Sequence, residues 1–101
     1  MVAGCNVENV SLGLTVCAEN VLVGNLFATG GGRLLAVACT GAAGSALMPC
    51  GRCRQVLLEH GGGQLLVDAG PGAEARTLGT LLPDAFGPAE IAAGEVRRWT
   101  R

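Results

Sequence analysis

Three glycine-dense breaks, Gly30-Gly31-Gly32, Gly61-Gly62-Gly63 and Gly70-Pro71-Gly72, constrain this chain more than any other feature. Such runs do not continue a helix or a strand, because glycine loses more conformational freedom on ordering than any other residue. Between them the pattern changes block by block. From Thr15, read as an N-cap, the apolar positions Val16, Val21, Leu22 and Leu26 suit a helix that stops at the first triplet. Residues 33–39 form a compact apolar run, as expected of a strand covered on both faces. Residues 41–48 read as a Gly/Ala/Ser loop. Pro49 suits the first position of a second helix, which Val56 and Leu57 continue to the second triplet. Residues 64–68 read as a strand, 70–72 as a turn and 77–82 as a short helical turn before Pro83. Residues 1–6 look like the tail of a strand that turns at 6–9, so the chain begins in mid-element. The order strand, helix, strand, helix, strand predicts an α/β fold: a mixed β-sheet sandwiched by helices in three layers, incomplete at the N-terminus.

A chain of 101 residues fits one domain. Half of it is apolar and 15% charged, which excludes disorder, and with two Phe, one Trp and no Tyr the core must be built from Leu, Val and Ala. So apolar a composition in so small a domain predicts surface buried against partner subunits, hence a homo-oligomer. The net charge of -1 argues against a nucleic-acid partner, which needs a basic face. Arg97, Arg98 and Arg101 are the only basic cluster and read as part of a solvated tail spanning residues 89–101. No apolar run is long enough for a bilayer, and Gly4, Asn6, Glu8 and Asn9 interrupt any signal peptide. The expectation is a cytoplasmic protein with no membrane partner. In a reducing compartment its five cysteines are metal ligands, nucleophiles or buried small hydrophobes before they are disulfides.

Two helix starts carry thiols, in Cys17-Ala18-Glu19 and in Pro49-Cys50-Gly51-Arg52-Cys53. A C-x-x-C pair alone would fit a redox site. A third distant cysteine with an acid two residues later points instead to metal chemistry, with Cys5 and Cys39 read as packing residues. Three protein ligands leave one position of a tetrahedral zinc open, the arrangement of a catalytic rather than a structural site. Glu19 then stands where it can move a proton. The plainer reading of Glu19 is a surface acid favoured by the helix dipole.

The blocks Gly4-Cys5-Asn6-Val7-Glu8-Asn9, Leu14-Thr15-Val16-Cys17-Ala18-Glu19, Pro49-Cys50-Gly51-Arg52-Cys53-Arg54-Gln55-Val56 and Leu82-Pro83-Asp84-Ala85-Phe86-Gly87-Pro88 together resemble the small homotetrameric cytidine deaminases, over residues 4–88. The resemblance implies one Zn(II) per subunit on Cys17, Cys50 and Cys53. It implies that Glu19 passes a proton from the attacking water to ring nitrogen N3 and assists departure of ammonia from C4, turning cytidine, and deoxycytidine, into uridine and deoxyuridine in pyrimidine salvage. Asn6 and Glu8 would hold a ribose hydroxyl and the Ala18 N–H the pyrimidine carbonyl. Phe86 would reach a neighbouring subunit's pocket, with a simple core Phe as the equal alternative.

The chain also departs from that pattern. Asn20 stands where many members have Arg, so the formal charge of -1 on a divalent ion with three thiolates has no counterion there; helix dipoles, with Arg52 or Arg54, are expected to offset part of it. Leu12 replaces a common aromatic, and Met48 a frequent Ser. The leading helix and the strand with an F-x-V-G-A-A-like motif are missing, so residues 1–88 read as a truncated deaminase domain of weak or no activity alone. The rival readings are a structural zinc module, with His60 or Cys5 as fourth ligand, and a deaminase of another aminopyrimidine nucleoside.

Overall fold

A computed structural model of the protein describes residues 1–92; Arg97, Arg98, Arg101 and the rest of the expected tail from residue 93 lie outside the described residues. Two eleven-residue helices, α1 (Ala18–Ala28) and α2 (Gly51–Gly61), pack against each other and flank the core. A three-stranded mixed sheet carries β1 (Ala36–Val37), β4 (Leu66–Val67) and β5 (Arg76–Thr77) in the order β1-β4-β5. β1 and β4 run parallel, with Ala36 opposite Leu66 and Val37 opposite Val67, and β5 is antiparallel to β4. Two strands in one direction require a crossover, which α2 supplies. A separate antiparallel hairpin joins β2 (Cys39–Thr40) to β3 (Ala46–Leu47), and two short helices, α3 (Leu78–Leu81) and α4 (Pro88–Ala92), follow.

The core is aliphatic, as the composition requires. Leu57 of α2, Leu65 and Val67 at β4, and Leu78 of α3 are sealed from solvent, with Val23, Leu34, Val37 and Leu81 around them. Each sealed leucine contributes roughly 2 kcal/mol relative to exposure. The sheet face that carries Val37 and Val67 meets this cluster. The alternate positions do not: Leu66 is 44% exposed, and Leu35, just before β1, is 74% exposed. The expectation of a run covered on both faces therefore fails over the described residues.

Both helices end at the expected glycine triplets but do not begin at the expected residues. α1 is capped by Cys17, not Thr15; the Thr15 hydroxyl instead accepts from the Asn9 N–H at 3.2 Å, and the Thr15 N–H closes a 3-10 turn, Leu12–Leu14. α2 is capped by Cys50, so Pro49 lies one residue before the cap rather than inside the helix. The first glycine triplet ends α1 because Gly30, Gly31 and Gly32 adopt φ of 117°, 78° and 124°, which side chains resist. The segment expected as a loop, 41–48, contains β3, paired back onto β2 around a turn in which the Gly44 N–H donates to the Gly41 carbonyl at 2.9 Å. Residues 1–6 form no strand. They lie on α1 so closely that a Cβ at Gly4 would collide with the Ala18 carbonyl and the Leu22 backbone nitrogen.

Candidate metal centre

The two helix starts converge. The Sγ atoms of Cys17, Cys50 and Cys53 all lie within 4.8 Å of one another. Zn–S bonds of about 2.3 Å in a tetrahedron put sulfurs about 3.8 Å apart, so the cluster fits a zinc ion with little adjustment. Each helix delivers its first thiol from the N-cap, in extended backbone: φ -73°, ψ 154° at Cys17 and φ -67°, ψ 168° at Cys50. Cys53 follows one turn into α2 and is fully buried. Free N–H groups and the dipole at a helix start favour thiolate over thiol. The backbone N–H of Cys53, with its thiol, holds Cys50 below the usual thiol range, while burial pushes Cys53 above it and its neighbours Cys50 and Cys17 add to the rise.

A cavity of about 820 Å³ opens beside the three thiols. It is bounded by α1, by β1 and by residues 1–6, and Glu19, Ala18, Asn6 and Cys39 also face it. Glu19 is 8% exposed, which overturns the reading of it as a surface acid complementing the dipole. Its Oε2 accepts a hydrogen bond from the Cys39 thiol at 3.4 Å. Burial, reinforced by the Glu19 charge and this hydrogen bond, pushes the Cys39 thiol up to about 12, so it stays protonated at neutral pH.

Cys39 packs against the core as expected, and it also lines the cavity, where its thiol meets Glu19. Its signal was in the strand alternation, since Cys39 lies two residues after the core residue Val37 and so turns the same way. Cys5 is exposed and outside the cluster, contrary to a packing role.

Asn6 and Ala18 are brought together, but with each other: Asn6 Oδ1 accepts from the Ala18 N–H at 2.7 Å and so completes the cap of α1. Glu8 is exposed and does not line the cavity. Phe86 is 47% exposed, which removes the simple core reading; with Gln55, Glu59 and Ile91 it borders a separate cavity of about 340 Å³.

His60 belongs to the far end of α2, about 15 Å along the axis from Cys50, where its ring meets Phe27 edge-on with centroids 5.2 Å apart. It is not part of the metal cluster, and neither is Cys5, so neither rival fourth ligand is in place. Asn20 Nδ2 is buried with no hydrogen-bond partner, so this residue brings neither charge nor a satisfied contact. Arg54 is engaged by neutral groups: Nε donates to the Pro49 carbonyl at 2.7 Å and a terminal nitrogen to the Leu81 carbonyl at 2.9 Å. It thereby ties the residue before Cys50 to α3, a positioning role that the C-x-x-C spacing did not suggest. Among the described residues no helix is long and apolar enough to cross a membrane.

Comparison with known proteins agrees with this geometry. Residues 1–68 match the family model described as the cytidine and deoxycytidylate deaminase zinc-binding region. The chain is 67% identical over 87 residues to a cytidine deaminase of Mycobacterium tuberculosis, covering 86% of this chain and 64% of that protein. A cytidine deaminase of Proteus mirabilis is 36% identical over 90 residues, covering 87% of this chain and 29% of that protein. Crystal structures of cytidine deaminases superpose with a TM-score of 0.80 for M. tuberculosis, at 67% identity over 85% of this chain and 68% of that one. For Mycobacterium leprae the TM-score is 0.73, at 48% identity over 82% and 76%. The chain therefore spans just under two thirds of the curated M. tuberculosis protein.

Proposed function

Because the chain belongs to the cytidine and deoxycytidylate deaminase zinc-binding family, we propose that it hydrolyses the exocyclic amine of cytidine and deoxycytidine, giving uridine or deoxyuridine and ammonia. The observation that carries this reading is the convergence of three thiols from two helix starts beside one buried carboxylate. Cys17, Cys50 and Cys53 would hold the zinc ion, which when bound would supply Lewis-acid activation of water for attack at C4 of the base. The protons are the work of Glu19. Its carboxylate takes one from the attacking water and delivers it to N3, then takes the second from the hydroxyl now on C4 and delivers it to the departing amino nitrogen, so that water and substrate balance against product and ammonia. A buried carboxylate suits the task because little solvent competes for the proton in transit.

Asn6 and Glu8 are assigned to a ribose hydroxyl, and the Ala18 N–H to the pyrimidine carbonyl. Since Asn6 Oδ1 holds the Ala18 N–H in this structure, the two assignments are linked: Asn6 turning to the ribose frees the amide for the base. Phe86 is assigned to the site of a neighbouring subunit in a homotetramer. Exposed Val10, Leu12, Leu14 and Leu35 supply apolar surface for such packing. Five unpaired thiols accord with a reducing compartment, the cytoplasm, and the reaction with pyrimidine salvage. Residues 1–88 serve as the deaminase domain, with 89–101 as its tail.

Ammonia release by the zinc-loaded protein tests the proposal. Zinc-dependent release from cytidine, lost on chelation and restored by zinc, is the expected result. Release from a different aminopyrimidine nucleoside but not from cytidine would move the assignment, and zinc binding with no release from either would leave a structural module or an inactive deaminase fragment.

A further inference from the structure

The two oxygens of Glu19 are not equivalent. Among the described residues the carboxylate has one hydrogen-bond partner, the Cys39 thiol on Oε2. Oε1 has none, yet it is not sealed away, since among the described residues the only buried side-chain nitrogen or oxygen left without a partner is Asn20 Nδ2. It is therefore the oxygen without a protein partner on a residue that lines the same cavity as Cys17, Cys50 and Cys53. Cys39 arrives from β2, an element separate from both metal-bearing helices, and the β2–β3 pairing fixes its place: Cys39 lies opposite Leu47 and Thr40 opposite Ala46.

We propose that Cys39 is a positioning residue that ties down Oε2 of Glu19 through its S–H and leaves Oε1 as the proton-carrying oxygen; this rests on the deaminase reading above. A long acid side chain at a helix start has several rotamers, and a carboxylate free to swing would carry its proton along a range of paths. One hydrogen bond from a different element selects among them. The thiol is suited to this because it is a weak donor that leaves the other lone pairs free, and because burial keeps its proton in place at neutral pH. No bond is made or broken at sulfur.

Two readouts on the zinc-loaded full chain test this. In turnover, Cys39→Ala, which lacks a donor, is expected to lower kcat about 10-fold while KM and zinc content stay within about twofold; Cys39→Ser, which restores one, is expected to regain most of that loss. Equal losses in the two variants, or no loss in Cys39→Ala, would overturn the proposal, because packing alone would then explain the site.

In vibrational spectroscopy, a lowered S–H stretch that disappears in Cys39→Ser is expected to move to higher frequency in Glu19→Leu, which has no acceptor. An unmoved band would likewise overturn the contact. This second readout needs no turnover. A wild-type protein that releases no ammonia but shows the band shift would refute the deaminase reading and uphold the Cys39–Glu19 contact.

Discussion

At the start of α1 a cysteine caps the helix, Asn6 Oδ1 takes up the Ala18 N–H, and an acid is buried in the first turn. At the start of α2 a cysteine also caps the helix, but the first turn holds no acid, a second thiol is sealed one turn in, and Arg54 grips the carbonyl just before the cap. The backbones at Cys17 and Cys50 are nearly the same. One local geometry, an extended residue ahead of free N–H groups, thus delivers a thiol toward the same point twice. The differences divide the work. α2 brings two of the three candidate ligands on a start clamped to α3, while α1 brings one and the carboxylate proposed to move protons, on a start held by a neutral, exposed side chain.

The largest expected effect separates the two starts by chemistry. Glu19→Gln should lower ammonia release by about 10³-fold with zinc content unchanged, measured by steady-state kinetics and metal analysis. Activity close to wild type would reduce α1 to a mirror of α2. Cys53→Ser, at the sealed position, should weaken zinc affinity by more than about 100-fold in a competitive chelator titration, since even outer contacts of a metal site are worth that much. Arg54→Met should cost about 2 kcal/mol in urea unfolding through loss of two charge-assisted hydrogen bonds. Asn6→Ala should cost about 1 kcal/mol, as loss of a helix cap does; an effect as large as that of Arg54 would mean the α1 start is no softer than that of α2.

The smallest effect concerns pH. The Cys39 pKa is raised on folding from 9.0 to about 12, so its contribution to stability is complete below about pH 9 and is lost as the pH rises towards 12. Cys39→Ser should flatten that alkaline decline in a denaturation series.

Much of this arrangement was legible in the amino-acid order. The glycine triplets mark the ends of α1 and α2 because positive φ is a backbone demand that the residue type declares. The convergence of Cys17, Cys50 and Cys53, with Glu19 on the same cavity, was legible because a metal site needs particular atoms at particular spacings. The caps were not: Thr15 and Pro49 have the better intrinsic preferences, but ligand placement puts Cys17 and Cys50 at the helix starts. The β2–β3 hairpin was hidden because Ala46 and Leu47 carry no strand pattern by themselves and are held by pairing across a glycine turn. β5 was hidden for the same reason, as two residues on a sheet edge. The packing of Cys39 was legible, but its contact with Glu19 was not, because only the fold brings the carboxylate to its thiol.

The central claim is that two helix starts make one zinc site with three thiolates and an open position. X-ray absorption at the zinc edge of the loaded protein tests it most directly. The account predicts three sulfur scatterers at about 2.3 Å and one light atom at about 2.0 Å. Four sulfurs, or three sulfurs with the outer-shell pattern of a histidine ring, would mean a closed structural site and would contradict it.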